Sequence, residues 1–341
     1  MARRPTQRQL FAELAAKFGV EVAEAFLEAV ADLKSGVEFK RLRLAIEQGD
    51  LNGAMEALHL DRAAFHALEA KINEAFIAGG QAATSSMPAS VAVGFRFDPG
   101  NQRAAAIIRA TAGRLITGLL ETEREQARQF IAEGMARGAH PRAVGLDLVG
   151  RISRVTGKRE GGLMGLSAPQ RAYVATARAE LASADPKLLK HYLTRGRRDR
   201  RFDRSITKAI REGRAVDPEI AAKAITAYER RLLQLRGEII ARTEGIPAIR
   251  AAKKEAYQQL VDSGRITEAE IERAWHNAGD RRVRDTHDAM GGQKVRGLTL
   301  PFQSPSGALM MYPGDASLGA GAEEIVACRC DESIAIRATK A

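Results

Sequence analysis

The stretch PEIAAKAITAYERRLLQLRGEIIARTEGIPAIRAAKKEAYQQLVD, residues 218–262, decides how this chain is read. Ala, Leu, Glu, Lys, Arg and Gln, all strong helix formers, fill most of it. Asp217-Pro218 at its start offers a capping oxygen and a proline suited to the first helical position. Only Gly237 and Gly245-Ile246-Pro247 interrupt it. Unbroken, a helix of this length would span roughly 65 Å. A proline inside a helix removes a hydrogen bond and clashes with the preceding turn. The expectation is therefore two or three consecutive helices, broken at those glycines and that proline.

The same punctuation extends outward. Thr122-Glu-Arg-Glu125, Ser167-Ala-Pro-Gln170 and Thr267-Glu-Ala-Glu270 have the form of capping boxes. The third predicts a helix that carries Trp275. Asp185-Pro186 marks another start, and Gly213 ends a segment begun at Ser205. Over residues 6–80, Leu10, Leu14, Phe18, Val22 and Phe26 recur near helical spacing. Gly79-Gly80 and Ser85-Ser86-Met87-Pro88 then break the pattern, which places a boundary near 79–100. VAVGFRFDPGN, residues 91–101, reads as a short strand or an extended connector. After Asn277, Gly, Pro and Ser become frequent, and KVRGLTLPF and ALMMYP look like strands between turns. The predicted class is mainly α, an elongated multi-helix body with a small α+β C-terminal module. The expected segments are a helical region at 1–94, a helical body at 95–240 and a C-terminal domain at 241–341 that holds the mixed module from about 278.

Of the 341 residues, 45% are hydrophobic but only 5% aromatic, so the core must be mostly Ala, Leu, Ile and Val. No run of eighteen apolar residues occurs, so no membrane span is expected. The basic N-terminus MARRPTQRQLFAEL lacks the apolar core of a signal peptide. Two cysteines in so long a chain argue against a disulfide framework and fit a reducing cytosol. The net charge of +11 suggests a polyanionic partner, nucleic acid being the commonest.

Two clusters carry candidate chemistry. LTRGRRDRRFDRS, residues 193–205, brings Arg195, Arg197, Arg198, Arg200, Arg201 and Arg204 together. Guanidinium groups match phosphate oxygens bidentately and could contact a DNA backbone without reading sequence. The alternative is ion pairing with Asp199, Asp203 and other carboxylates. The second cluster is His287 with Cys328 and Cys330, the chain's whole thiol complement. Side chains two apart share one side of an extended stretch. These three could be zinc ligands, with Asp285, His276, Asp331 or water as a fourth. They could instead pack under the small module, or form a nucleophile with its base. Packing that stabilises the module is the expected role, because a module this short leans on a metal or on a neighbour.

The succession FDPGNQRAAAIIRATAGRLITGLLETEREQARQFIAEGMARGAHPRAVGLDL, RVTGKREGGLMGLSAPQRAYVATARAEL and RRDRRFDRSITKAIREG resembles the helical body of phage head morphogenesis proteins, the minor head proteins of the phage Mu F type. LRGEIIARTEG, AWHNAGDRRVRDTHDAMGGQ, MYPGD and EEIVACRCD resemble the successive blocks of their conserved C-terminal domain, in the expected order. The likeness runs from about 95 to 333, and residues 1–94 look like the helical leader of this group. It marks Arg242, Glu244, Trp275, Asp280, Arg282, Arg284, His287, Gly291, Pro313, Gly314, Asp315 and Arg329 as motif positions.

This resemblance implies a virion protein in few copies, inside the head near the portal and in the host cytoplasm during assembly. Its implied partners are the portal, other head or scaffold proteins and double-stranded DNA bound without sequence preference; self-association is also open. Its implied roles are head morphogenesis and DNA packaging or ejection, with no catalytic residue. The alternative is an enzyme delivered at ejection, a Cys/His hydrolase or an ADP-ribosyltransferase-like protein. Against it, no Gly-rich phosphate loop, dinucleotide fingerprint or peptidase signature occurs. No Glu-x-Glu follows Arg242-Thr243-Glu244 where transferase chemistry would want it.

Overall fold

The computed structural model describes residues 5–337. The chain is mainly α, with its longer strands in a small α+β module near the C-terminus. It forms two compact units, neither contiguous in sequence. Expected segments 1–94 and 95–240 each contribute to both units, whereas 241–341 lies whole in one.

The unit built from residues 26–66 and 117–237 packs its helices around Leu163, Leu166, Val174, Leu181, Leu189, Tyr192, Ile206 and Tyr228. Its helix starts follow the sequence signals. Ser167 opens the helix Ala168–Ala182, with its amide donating to Gln170 Oε1 at 3.1 Å. Asp185 caps Pro186–Thr194, and Gly213 closes Asp203–Glu212 at a φ of +59°. A hairpin of β1 (Arg151–Ile152) and β2 (Arg159–Glu160) leads into a glycine-rich turn. Two buried carboxylates hold that turn. Glu229 accepts from the Gly162 amide at 2.8 Å and from Arg178 at 2.8 Å. Glu123 accepts from the Gly165 amide at 3.1 Å, Arg171 at 2.9 Å and Arg236 at 3.0 Å. Gly162, at a φ of +80°, lies so near the Gly150 amide that a Cβ would come within 2.4 Å of it.

The other unit takes residues 1–25, 67–116 and 238–341. Its central helix, Ile246–Asp262, buries charged as well as apolar residues, among them Arg250, Lys253 and Glu255. Beside it stands a three-stranded antiparallel sheet in the order β4 (Lys294–Arg296), β3 (Ile271–His276) and β7 (Asp331–Ile336). β5 (Phe302–Gln303) pairs with β6 (Leu309–Met310). Trp275, Met290, Phe302, Met310, Cys328 and Cys330 form the module's core.

Several expectations are corrected. Pro218–Ile240 and Ile246–Asp262 are two consecutive helices joined by a π turn at Ala241–Gly245, as expected there, but Gly237 lies inside the first and breaks nothing. The wider turn relaxes the hydrogen-bond ladder where Pro247 cannot donate. Gly79-Gly80 does not end a helix either, since His66–Ser86 runs through both. A Cβ on Gly79 would sit 2.5 Å from the Ile249 carbonyl oxygen, and one on Gly80 would sit 2.2 Å from the Phe97 ring. These glycines permit close approach rather than a turn. Thr122 lies inside Gln102–Ala136, its hydroxyl bonded back to the Gly118 carbonyl at 2.7 Å. The Thr267 box opens only a 3-10 turn, Glu268–Glu270, and Trp275 follows on β3 rather than on a helix. Of the two readings for residues 91–101, the connector holds from 93 onward, while Val91 and Ala92 end a short helix, Ala89–Ala92.

Candidate metal centre

His287 comes from a short helix, Asp285–Ala289, and the two cysteines from the stretch that enters β7. The backbone before the thiols is held in an unusual shape. Ala327 has a φ of +54°, in the left-handed region that an L residue enters at a cost. Its amide donates to Thr243 Oγ1 at 3.1 Å, and Arg284 donates to the Val326 carbonyl.

His287 Nδ1 then lies 3.6 Å from Cys328 Sγ and 3.5 Å from Cys330 Sγ. All three ligand atoms fall within 4.8 Å of one another, and all three residues are buried. Tetrahedral zinc, about 2.3 Å from sulfur and about 2.0–2.1 Å from an imidazole nitrogen, sets the S···N separation at about 3.6 Å. The cluster could hold a metal. The other ring nitrogen, Nε2, lies 2.8 Å from Glu324 Oε2. The contact is a close charge pairing in which Nε2 does not reach hydrogen-bond geometry. Glu324 is itself fixed by Ser306 at 2.6 Å, Ser304 at 3.0 Å and Thr286 at 3.1 Å. A carboxylate behind the second ring nitrogen is the usual support for a histidine ligand.

The electrostatics favour negative charge on sulfur. The hydrogen bond between the two thiols pulls Cys328 down and pushes Cys330 up, so the pair favours one shared proton. The Trp275 indole N–H, buried edge-on to His287 with ring centroids 5.3 Å apart, has no acceptor in full hydrogen-bond geometry among the described residues. It is also one of the groups that favour a Cys330 thiolate.

The motif positions from the C-terminal blocks gather around this cluster. Arg329 pairs with both oxygens of Asp280, holding that carboxyl down to about 2, and the Asp280 side chain also caps the Arg282 amide at 2.8 Å. The Arg282 side chain is exposed. Arg250, not anticipated from sequence, joins two blocks by donating to the Pro313 carbonyl at 2.8 Å and to the Cys330 carbonyl. Gly314, at a φ of +84°, packs against Pro247. Asp315 accepts from the Met311 and Ser317 amides, each at 2.9 Å. Gly291 closes its turn on the Asp288 carbonyl at 2.9 Å. Arg242 and Glu244 lie in the π turn. Burial pushes the Glu244 carboxyl up to about 7 against the pull of Arg114. Of the other suggested metal ligands, His276 bonds Ser333 at 2.8 Å, Asp331 pairs with Lys253 at 3.1 Å, and neither they nor Asp285 join the cluster.

The arginine cluster divides. Arg195 is bidentate to the buried Glu180 at 2.7 and 2.8 Å, Arg198 to Asp203 at 3.0 and 2.9 Å, and Arg201 pairs with Asp199 at 2.7 Å. Arg197, Arg200 and Arg204 are exposed and have no carboxylate partner among the described residues. Sequence reasoning missed Lys253, Arg273, Glu324 and Glu332 as well as Arg250, all of them buried and charged. For Arg250 and Lys253 a signal existed, since cations there interrupt an otherwise small and apolar helix face. Compared with known proteins, the chain matches no family model, no curated protein and no solved structure.

Proposed function

We infer that this chain is a structural minor head protein of a tailed phage or prophage, acting near the portal, and that zinc on His287, Cys328 and Cys330 staples its C-terminal module. One observation carries the reading. The blocks that resemble the head morphogenesis family, far apart in sequence, meet as one assembly through the Asp280–Arg329, Thr243–Ala327, Arg250–Pro313 and His287–Cys328–Cys330 contacts. A motif set that closes on itself in this way serves a structural part. The thiols are 0% and 2% exposed, which suits ligands better than a nucleophile that must meet a substrate. When bound, the metal would supply cross-linking of the β7 entry to the His287 helix. Glu324 would orient the imidazole, and the Trp275 N–H would find an acceptor in the Cys330 thiolate.

The test is made in the phage whose genome carries the gene. The protein is expected to co-sediment with proheads and with mature particles at a few copies each. A stop codon is expected to give heads that package or eject DNA poorly. Absence from both kinds of particle would sink the reading.

DNA binding belongs to the same proposal and rests on the unpaired half of the arginine cluster. Replacing Arg197, Arg200 and Arg204 with Ala is expected to flatten the slope of log affinity against log salt by about 0.9 for each phosphate no longer neutralised, without change in melting temperature. Arg195→Ala and Arg198→Ala should cost stability instead. An unchanged slope in the triple variant removes the cluster from the DNA interface.

A further inference from the structure

A cavity of about 420 Å³ opens beside the metal cluster, inside the unit that holds the module. Arg8, Arg242, Arg250 and Arg329 line it, against a single carboxylate, Asp331. That carboxylate is already matched by Lys253 at 3.1 Å. Arg329 is taken by Asp280, and Arg250 donates to main-chain carbonyls, so its charge is not cancelled there. The side chains of Arg8 and Arg242 make no hydrogen bond or ion pair with any described residue. Arg242 is half-buried, and a half-buried cation without a partner is costly to keep unless something else supplies the anion. It also stands on the π turn, an irregularity that concentrates at functional sites.

The remaining wall is apolar, with Phe11 and Ile246 among its residues. The volume is in the range of small-molecule sites, which combine an apolar lining with a few placed polar groups. We propose that this cavity binds a small organic phosphate monoester. Its dianionic phosphate engages Arg8 and Arg242 within the field of Arg250 and Arg329, and its apolar body lies on the Phe11 and Ile246 wall. Guanidinium forks suit the tetrahedral phosphate, and more than one unpaired cation calls for more than one negative charge. The proposal does not depend on the phage reading or on zinc, because its observations are the free arginines and the cavity.

The test is calorimetric titration of the full chain at fixed ionic strength with adenosine 5′-monophosphate, inorganic phosphate and adenosine as probes. The monophosphate is expected to bind saturably at one site, inorganic phosphate more weakly, and adenosine not measurably. Arg242→Ala is expected to weaken the monophosphate by about tenfold or more, as for removal of a charge-assisted hydrogen bond. Arg242→Lys should retain part of the affinity, and Arg197→Ala all of it. The exposed Arg8→Ala carries the same expectation should Arg242→Ala fold poorly. No saturable binding, adenosine binding as tightly as its monophosphate, or affinity indifferent to both arginine substitutions would each overturn the site.

Discussion

Arg273→Met is expected to be among the most damaging single substitutions in the chain, costing about 3–5 kcal/mol as for breaking a buried charge pair. Arg273 sits on β3 with its side chain 0% exposed, and Glu332, opposite Trp275 on β7, is equally sealed. The two lie 3.6 Å apart, close enough to pair as ions, although neither Glu332 oxygen accepts a hydrogen bond. Burial already pushes the Glu332 carboxyl up to about 6, with Arg273 the strongest opposing charge. The guanidinium does more than neutralise it. Arg273 donates to the Gly297 carbonyl at 2.8 Å and to the carbonyls of Leu300 and Met311, and so ties the loop around β5 and β6 to the sheet. Methionine would fill much of the volume but leave three carbonyls without a donor and the Glu332 carboxylate without its opposing charge. Denaturant unfolding of Arg273→Met measures the destabilisation. Adding Glu332→Met should recover part of it, because the buried charge goes with its partner. A single variant within about 0.5 kcal/mol of wild type would show the pair to be dispensable.

The same strand shows which parts of the fold were legible. β3 reads IERAWH, and burial alternates along it, with Ile271, Arg273 and Trp275 inward. A period of two is present in the sequence, but its middle inward residue is an arginine, so hydrophobicity alone hides it. The capping box at Thr267 pointed the other way. Such a box specifies how the first amides of a turn are satisfied, not whether a helix follows. Caps at Ser167, Asp185 and Gly213 read correctly because their chemistry is local and a long amphipathic segment stands beside each. Gly79 and Gly80 misled because their role depends on Ile249 and Phe97, residues distant in sequence. The metal cluster was visible through rarity, as the only two thiols and one of six histidines. Glu324 was not, since nothing in AEEI distinguishes the carboxylate that meets His287 from its neighbour Glu323.

Purified protein is expected to carry about one zinc per chain, and a chelator should lower the melting temperature of the module far more than impaired packing could. Structural zinc contributes on the order of 10 kcal/mol in small domains. Removing one small buried side chain ordinarily costs about 0.5–3 kcal/mol. The informative comparison is therefore Cys328→Ala. Alanine keeps an apolar residue at a 0% exposed position, so packing alone predicts a modest destabilisation that chelator does not deepen in wild type. Ligation predicts that Cys328→Ala, Cys330→Ala and His287→Ala all lose the metal and melt like chelated wild type. Glu324→Gln should keep the ligands yet weaken zinc by about 10–100-fold, the usual effect of disturbing the group behind a histidine ligand. That variant separates the two readings most cleanly, because Gln preserves the volume next to His287 and the hydroxyls of Ser304 and Ser306 still have an acceptor. Metal-free protein whose melting ignores chelator would assign His287, Cys328 and Cys330 to packing under Trp275, with the indole N–H left as a buried donor without an acceptor.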